Sequence, residues 1–292
     1  MIAQVEGSYQ PELADRVVTN PLSPNQTIHA ASVNGLRRLS QLPPRQVREI
    51  LTSPDWLRFT STRNPLSRVY SAWGNRLLLR APGHARRLAD LTPDVVDNNQ
   101  LDLTATFANF VQAFSSNTEQ FMNDHHFMTQ TRFIRPDLIS YNSIVCVDVP
   151  GALTELATVL SARSAAGSHP TDASPNQTAS QRLNEGLGIP LALVCDITSA
   201  DILMNAYQVD YDTFGFSRDE VRSTLSPRVS PYFLSATETR LLHQLRAAIQ
   251  RSLDIANSSR VRQRLSFRVM RLMYAVLHKA SLRHIARPQR YM

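Results

Sequence analysis

Between Leu57 and Leu78 the apolar pattern of the chain changes period within a few residues, and that change limits what it can fold into. Leu57-Arg58-Phe59-Thr60-Ser61-Thr62 alternates and is rich in strand formers, which predicts a strand. Asn64-Pro65 ends it. Proline lacks the amide that a ladder needs but suits the first turn of a helix, where that amide has no partner anyway. Leu66, Val69, Tyr70, Trp73, Leu77 and Leu78 then follow at helical spacing. The pattern recurs: the apolar run from Ser143 to Val149 predicts a second strand stopped by Pro150, and Leu153, Leu156, Ala157 and Leu160 predict a crossover helix after it. Strand followed by helix, twice, predicts an α/β fold with a parallel sheet flanked by helices.

Around this frame the reading is mostly helical. A short helix is expected from Pro44 through Val47, Ile50 and Leu51, ending before Pro54. Another is expected from about Thr104 to Phe114, with Phe107, Phe110, Val111 and Phe114 on one face. Helices resume near Ala200 to Tyr207, Arg218 to Leu225, Ala236 to Ala256 and Arg260 to Ile285. Residues 1–35 are polar and punctuated by Pro11, Pro21 and Pro24, which predicts irregular structure. Residues 163–188 carry almost no large apolar side chain and read as a flexible loop or lid. With 292 residues, 42% of them hydrophobic, the whole chain reads as a single domain with a helical C-terminal part.

The charge is unevenly placed. The net charge is +7, yet nine basic residues follow the last acidic one, Asp254, so residues 1–254 carry a net −2. The basic character therefore belongs to the tail and says little about what the main body binds. Lys279 is the only lysine, which closes any mechanism needing a lysine near the N-terminus. Cys146 and Cys195 are too few for a disulfide framework or a zinc site and read as two core thiols, with a single bridge left open. No metal is expected.

Arg63 leaves the first strand and Ser71 sits about two turns into the following helix. A guanidinium, a serine hydroxyl and the unpaired amides of a helix start can close on an anion such as a phosphate monoester. The same residues would serve equally as surface ion pairs at Arg63 and Arg68, a tolerated helix serine and a core tryptophan.

Arg63-Asn64-Pro65-Leu66-Ser67-Arg68-Val69-Tyr70-Ser71-Ala72-Trp73 resembles the element that reads the 3′-phosphate of 3′-phosphoadenosine-5′-phosphosulfate (PAPS) in the membrane-associated carbohydrate sulfotransferases (sulfotransferase family 2) and their bacterial relatives. Asn123-Asp124-His125-His126-Phe127-Met128-Thr129-Gln130 is similar to a second family block, with Phe127 in place of the usual tryptophan and Thr129 in place of a proline. Tyr207 to Phe216, with Asp210 and Phe214-Gly215-Phe216, looks like the closing block. The resemblance covers about Arg58 to Phe216 and implies a P-loop-like sulfotransferase fold. It makes Arg63 and Ser71 the 3′-phosphate contacts, PAPS the sulfuryl donor, and a carbohydrate or glycolipid hydroxyl the acceptor. The implied reaction is an in-line displacement with a histidine base: His126, or else its neighbour His125.

One family element is not visible. Residues 1–62 hold Gly7 and Gly35 but no lysine, and neither glycine lies between an apolar strand and a helix, where a loop would cradle the 5′-phosphosulfate. The expectation is a fold lacking its N-terminal strand, loop and helix. The alternative is a degenerate relative that binds nucleotide or a partner without catalysis.

In the tail, Val261, Leu265, Val269, Leu272, Met273, Val276, Ala280 and Ile285 form a stripe between arginines over residues 260–287. Such a basic amphipathic helix can lie on anionic lipid, or dock on its own domain. Aromatic and basic residues are not interleaved as single-strand binding favours, so no nucleic acid is expected. Without a membrane-length apolar run or a signal segment near the start, the chain reads as cytoplasmic, with peripheral lipid contact through the tail.

Overall fold

The structure, a computed structural model, describes residues 2–3, 37–79, 86–165, 189–248 and 250–251. In chain order the elements are β1 (Ile2–Ala3), β2 (Arg37–Arg38), α1 (Pro44–Thr52), β3 (Phe59–Thr62), α2 (Pro65–Ala72), a π-helical turn (Trp73–Leu78), α3 (Arg86–Asp90), β4 (Val96–Asp97), β5 (Gln100–Leu101), α4 (Leu103–Ser116), α5 (Thr118–Met122), α6 (Gln130–Ile134), β6 (Ser143–Cys146), α7 (Ala152–Ala165), α8 (Ile197–Ala206), α9 (Gln208–Phe214) and α10 (Arg218–Ser223). A further helix, α11, covers 236–248. The residues cluster into two compact units interleaved along the chain: Met1–Arg68, Met128–Leu183 and Met204–Arg218 in one, Val69–Phe127, Asn184–Leu203 and Asp219–Met292 in the other.

The first unit carries the α/β frame. β3 and β6 pair in parallel, with Phe59 opposite Ser143 and Thr62 opposite Cys146. The 80-residue gap between these strands in the sequence is long enough for the crossover that a parallel pair needs. Arg58 pins the start of the ladder. Its amide donates to Asn142 Oδ1 (2.8 Å), its Nε to the Ser140 carbonyl (2.6 Å), and its Nη1 to the Ser53 carbonyl (2.7 Å) just past α1. One guanidinium therefore satisfies carbonyls that would otherwise be left over where α1 ends and where the approach to β6 bends. β6 leads into α7, the helix expected after the second strand; no described strand follows it to pair with β6, so the crossover of this sheet is the segment between β3 and β6. A small antiparallel pair, β1 with β2, lies in this unit and gives Ile2–Ala3 a strand conformation where irregular structure is expected.

The second unit is built on an aromatic core. Phe107, Phe110 and Phe114 fall on one face of α4, as the spacing predicts, and all three are fully buried. Phe110 meets Phe121 edge-on at 5.7 Å and Trp73 meets Phe107 edge-on at 5.0 Å, the geometry the ring quadrupole favours, while Phe127 packs against Phe110 at a tilt, 5.8 Å away. α4 starts at Leu103, one residue earlier than expected, because Asp102 caps it, accepting from the Ala105 amide at 2.9 Å. The β4–β5 hairpin just before it is unexpected from the sequence. Its turn residues Asn98 and Asn99 both have positive φ (48° and 62°), the left-handed pair of a tight hairpin, which asparagine tolerates.

Of the expected loop over 163–188, residues 163–165 close α7 and the remainder lies outside the described residues, as does the expected helix over 260–287. Both cysteines are free thiols; Cys195 is buried and Cys146 half-buried. Among the described residues no helix is long and apolar enough to cross a membrane.

Candidate functional site

Arg63 directly follows the C-terminal end of β3, the end at which open parallel sheets present their ligand sites. Its backbone does not fray there. The Arg63 amide donates to Gln130 Oε1 (2.8 Å), and Gln130 Nε2 donates back to the Arg63 carbonyl (2.7 Å). A carboxamide presents one acceptor and one donor side by side, so Gln130 imitates a neighbouring strand and extends the ladder of β3 by one residue.

Gln130 is itself fixed. It opens α6, and its amide donates to Asp210 Oδ2 at 2.7 Å, while the Thr131 amide and hydroxyl both donate to Asp210 Oδ1 at 2.8 Å. Asp210, in the first turn of α9, is completely buried. An isolated carboxylate could not be held there, but three donors arranged around a helix start supply what water would have given. The three sequence blocks thus meet in one unit: Asp210 of the third holds Gln130 of the second, which holds Arg63 of the first.

Asn64 and Pro65 start α2 as the sequence predicts. Asn64 Oδ1 accepts from the Leu66 amide (3.0 Å) and the Ser67 amide (3.4 Å), and Tyr211 Oη donates to the same oxygen at 3.4 Å. Burial pushes the Tyr211 phenol up to about 12, so it remains a donor at neutral pH. The Arg218 guanidinium stacks over the Tyr211 ring at 5.3 Å, and Gly215, at φ 69°, closes α9 in the left-handed conformation that glycine adopts without cost. Arg68 Nη1 donates to the Met128 carbonyl at 2.5 Å, a second tie between the first two blocks.

The Arg63 side chain meets a carboxylate. Its Nε donates to Asp148 Oδ1 at 3.0 Å, and Asp148 Oδ2 accepts from the Asn64 amide at 2.7 Å. Asp148 lies two residues past β6, level with Asn64 because Cys146 pairs with Thr62 in parallel. The two terminal nitrogens of Arg63 form no hydrogen bond among the described residues.

Ser71 and His126 belong to the second unit. Ser71 is half-buried near the end of α2. His126 is exposed in the turn after α5, where its amide donates to Asp124 Oδ1 (2.8 Å) and its Nε2 meets the Arg76 guanidinium. A guanidinium only donates, so Nε2 is the acceptor and any ring proton sits on Nδ1. Burial lowers the Arg76 pKa and Asp124 opposes that shift. His125 is exposed beside His126, and Phe127 anchors the turn in the aromatic core.

Asp148 and Arg76 carry no motif and are missed from the sequence. The sequence places Asp148 inside the expected strand from Ser143 to Val149, whereas β6 ends at Cys146 and leaves it two residues beyond; an acidic residue within that apolar run is the one signal that marks it. Among the described residues no group of three or more histidine, cysteine, aspartate or glutamate side chains could hold a metal ion.

No curated protein and no solved structure matches the chain at a significant level. Residues 6–217, which span all three blocks and the sheet between them, match the model of the sulfotransferase family. The chain belongs to the sulfotransferase family.

Proposed function

We propose that this chain transfers a sulfuryl group from PAPS to a hydroxyl of a carbohydrate or glycolipid-type acceptor, with Arg63 and Ser71 holding the 3′-phosphate and His126 accepting the acceptor's proton. Family membership supports sulfuryl transfer from a nucleotide donor in general; the donor, the acceptor class and the residue roles are our reading. The observation that carries it is the convergence of Asp210 and Gln130 on the Arg63 backbone, while the terminal nitrogens of that arginine form no hydrogen bond among the described residues. Buried polar groups spent on holding one half-exposed arginine point to a ligand contact rather than to stability.

In such a transfer the acceptor oxygen attacks sulfur, the bond from sulfur to the bridging oxygen of the phosphosulfate breaks, and adenosine 3′,5′-bisphosphate leaves. Catalysis then rests on positioning and on charge stabilisation. With the ring proton on Nδ1, His126 can take the acceptor's proton only through Nε2, so Arg76 must first release that nitrogen. Lipid contact through residues 260–287 and a cytoplasmic location complete the proposal, and binding of the full chain to anionic but not neutral vesicles tests the first of these.

Adenosine 3′,5′-bisphosphate is expected to raise the melting temperature of the protein, with Arg63→Ala removing the shift. No shift with the intact chain would sink the reading. The absence of any lysine before Lys279 favours a second reading, a protein that binds the nucleotide without turning it over. A clear thermal shift without radiolabelled sulfate transfer from PAPS to any hydroxyl acceptor would favour it.

A further inference from the structure

We infer that Asp148 is the positioning residue for Arg63, setting the guanidinium so that its two terminal nitrogens are presented to a phosphate. The inference rests on the reading of Arg63 as the phosphate ligand and assigns a role to a residue outside the three sequence blocks.

An arginine side chain has four soft torsions, and a half-exposed one samples many rotamers whose loss would be charged against ligand binding. Asp148 removes that freedom in a particular way. It takes the Nε hydrogen with one oxygen (3.0 Å) and ties its other oxygen to the Asn64 amide (2.7 Å) at the start of α2. The carboxylate is therefore itself fixed to the backbone, and through it the guanidinium plane is fixed to the helix. Because the guanidinium is planar, holding Nε sets the direction of the edge formed by the terminal nitrogens, which is the fork that grips a phosphate in two places.

Stability does not explain the pair. The two side chains are 38% and 32% exposed, a setting in which ion pairs contribute little to folding. Asparagine could not replace the carboxylate, since a carboxamide has one acceptor oxygen for two donors. Glutamate keeps both acceptors.

The test is calorimetric titration of adenosine 3′,5′-bisphosphate into the full chain and its D148N, D148E, R63A and D148N/R63A variants. The expected result is a loss of affinity on the order of tenfold in D148N, the equivalent of one charge-assisted hydrogen bond, with a small change in Tm. D148E should recover most of the affinity, and D148N should add nothing in the R63A background. Affinity in D148N equal to or above that of the wild type would overturn the inference, as would a D148N loss that persists without Arg63. Wild-type protein that fails to bind the bisphosphate would overturn the phosphate reading of Arg63 and the inference with it. Exchange of the Arg63 Nε hydrogen, read by NMR without ligand, separates the two failures: acceleration in D148N reports the ion pair alone, and unchanged exchange overturns the positioning role directly.

Discussion

The carboxamide of Gln130 clasps the backbone of Arg63 from both directions, accepting from its amide at 2.8 Å and donating to its carbonyl at 2.7 Å. Among the described residues neither group has another hydrogen-bond partner, so the pair decides whether Arg63 continues the strand or frays. Gln130→Ala should cost about 3 kcal/mol, since it strands one donor and one acceptor in a part-buried place. Urea denaturation measures this. Gln130→Glu, which keeps the acceptor but faces the Arg63 carbonyl with an oxygen, should recover little of it.

Asp210→Asn preserves shape and removes charge. The native carboxylate accepts three hydrogen bonds, two on Oδ1 and one on Oδ2. An asparagine at this site must turn an NH2 group towards a donor, and the expected loss is about 3 kcal/mol. Because the break lies upstream of Arg63, bisphosphate binding should weaken together with stability, and a variant that loses stability at unchanged affinity would disconnect Asp210 from the site.

Alkaline pH should unfold the protein through its buried phenols. Burial raises Tyr211 to about 12 and pushes Tyr70 and Tyr207 higher still, whereas an unfolded tyrosine titrates near 10. The folded state holds these protons more tightly, so the contribution is complete below the unfolded value and is lost as pH rises through the folded ones. Stability should therefore fall from about pH 10 upward. Tyrosinate absorbance from these three residues should appear together with loss of helical circular dichroism, and a gradual titration of all eight tyrosines in a still-folded protein would contradict this.

Phe127→Trp, which would restore the residue usual in the family, should be harmful here. Phe127 is fully buried and meets Phe121 edge-on at 5.4 Å in a packed aromatic cluster. The larger ring should cost about 1–3 kcal/mol by overpacking, visible as a lower midpoint in thermal unfolding.

Arg246 anchors α11 within the second unit. Its Nε donates to the Leu78 carbonyl at 2.6 Å and both terminal nitrogens meet Asp94, with the two side chains only 9% and 14% exposed. Removing one partner of a buried pair leaves an uncompensated charge, so Arg246→Ala should cost about 3–5 kcal/mol. The double variant with Asp94→Ala should be less destabilised than the sum of the two single changes.

Much of the frame is local and was readable along the chain. β3, the Asn64-Pro65 start of α2, the phenylalanine face of α4, the strand at Ser143 and the helix after it follow from period, capping and proline chemistry acting within a few residues. The β4–β5 hairpin escaped because two-residue strands leave no alternation to read; only the Asn98-Asn99 pair marked it. The residue order of the three blocks also marked Arg63 as a phosphate contact and included Gln130, without saying which protein groups either would touch.

The partners themselves came only with the tertiary structure. Gln130 reaches Arg63 across 67 positions, Asp210 reaches Gln130 across 80, Asp148 reaches Arg63 across 85 and Arg76 reaches His126 across 50. Periodicity reports which face of an element is buried, because burial repeats with the backbone geometry. It carries no information about which polar group of a distant segment will meet which, since that depends on strand register and on the placement of short helices such as α6, whose own five residues are too few to leave a pattern. The sequence by itself therefore determined the strand-to-helix frame and the arginine at its hinge. The parallel register of β3 with β6, and the packing of α9 against α6, decided that this arginine would be gripped by an amide through its backbone and by a carboxylate through its side chain.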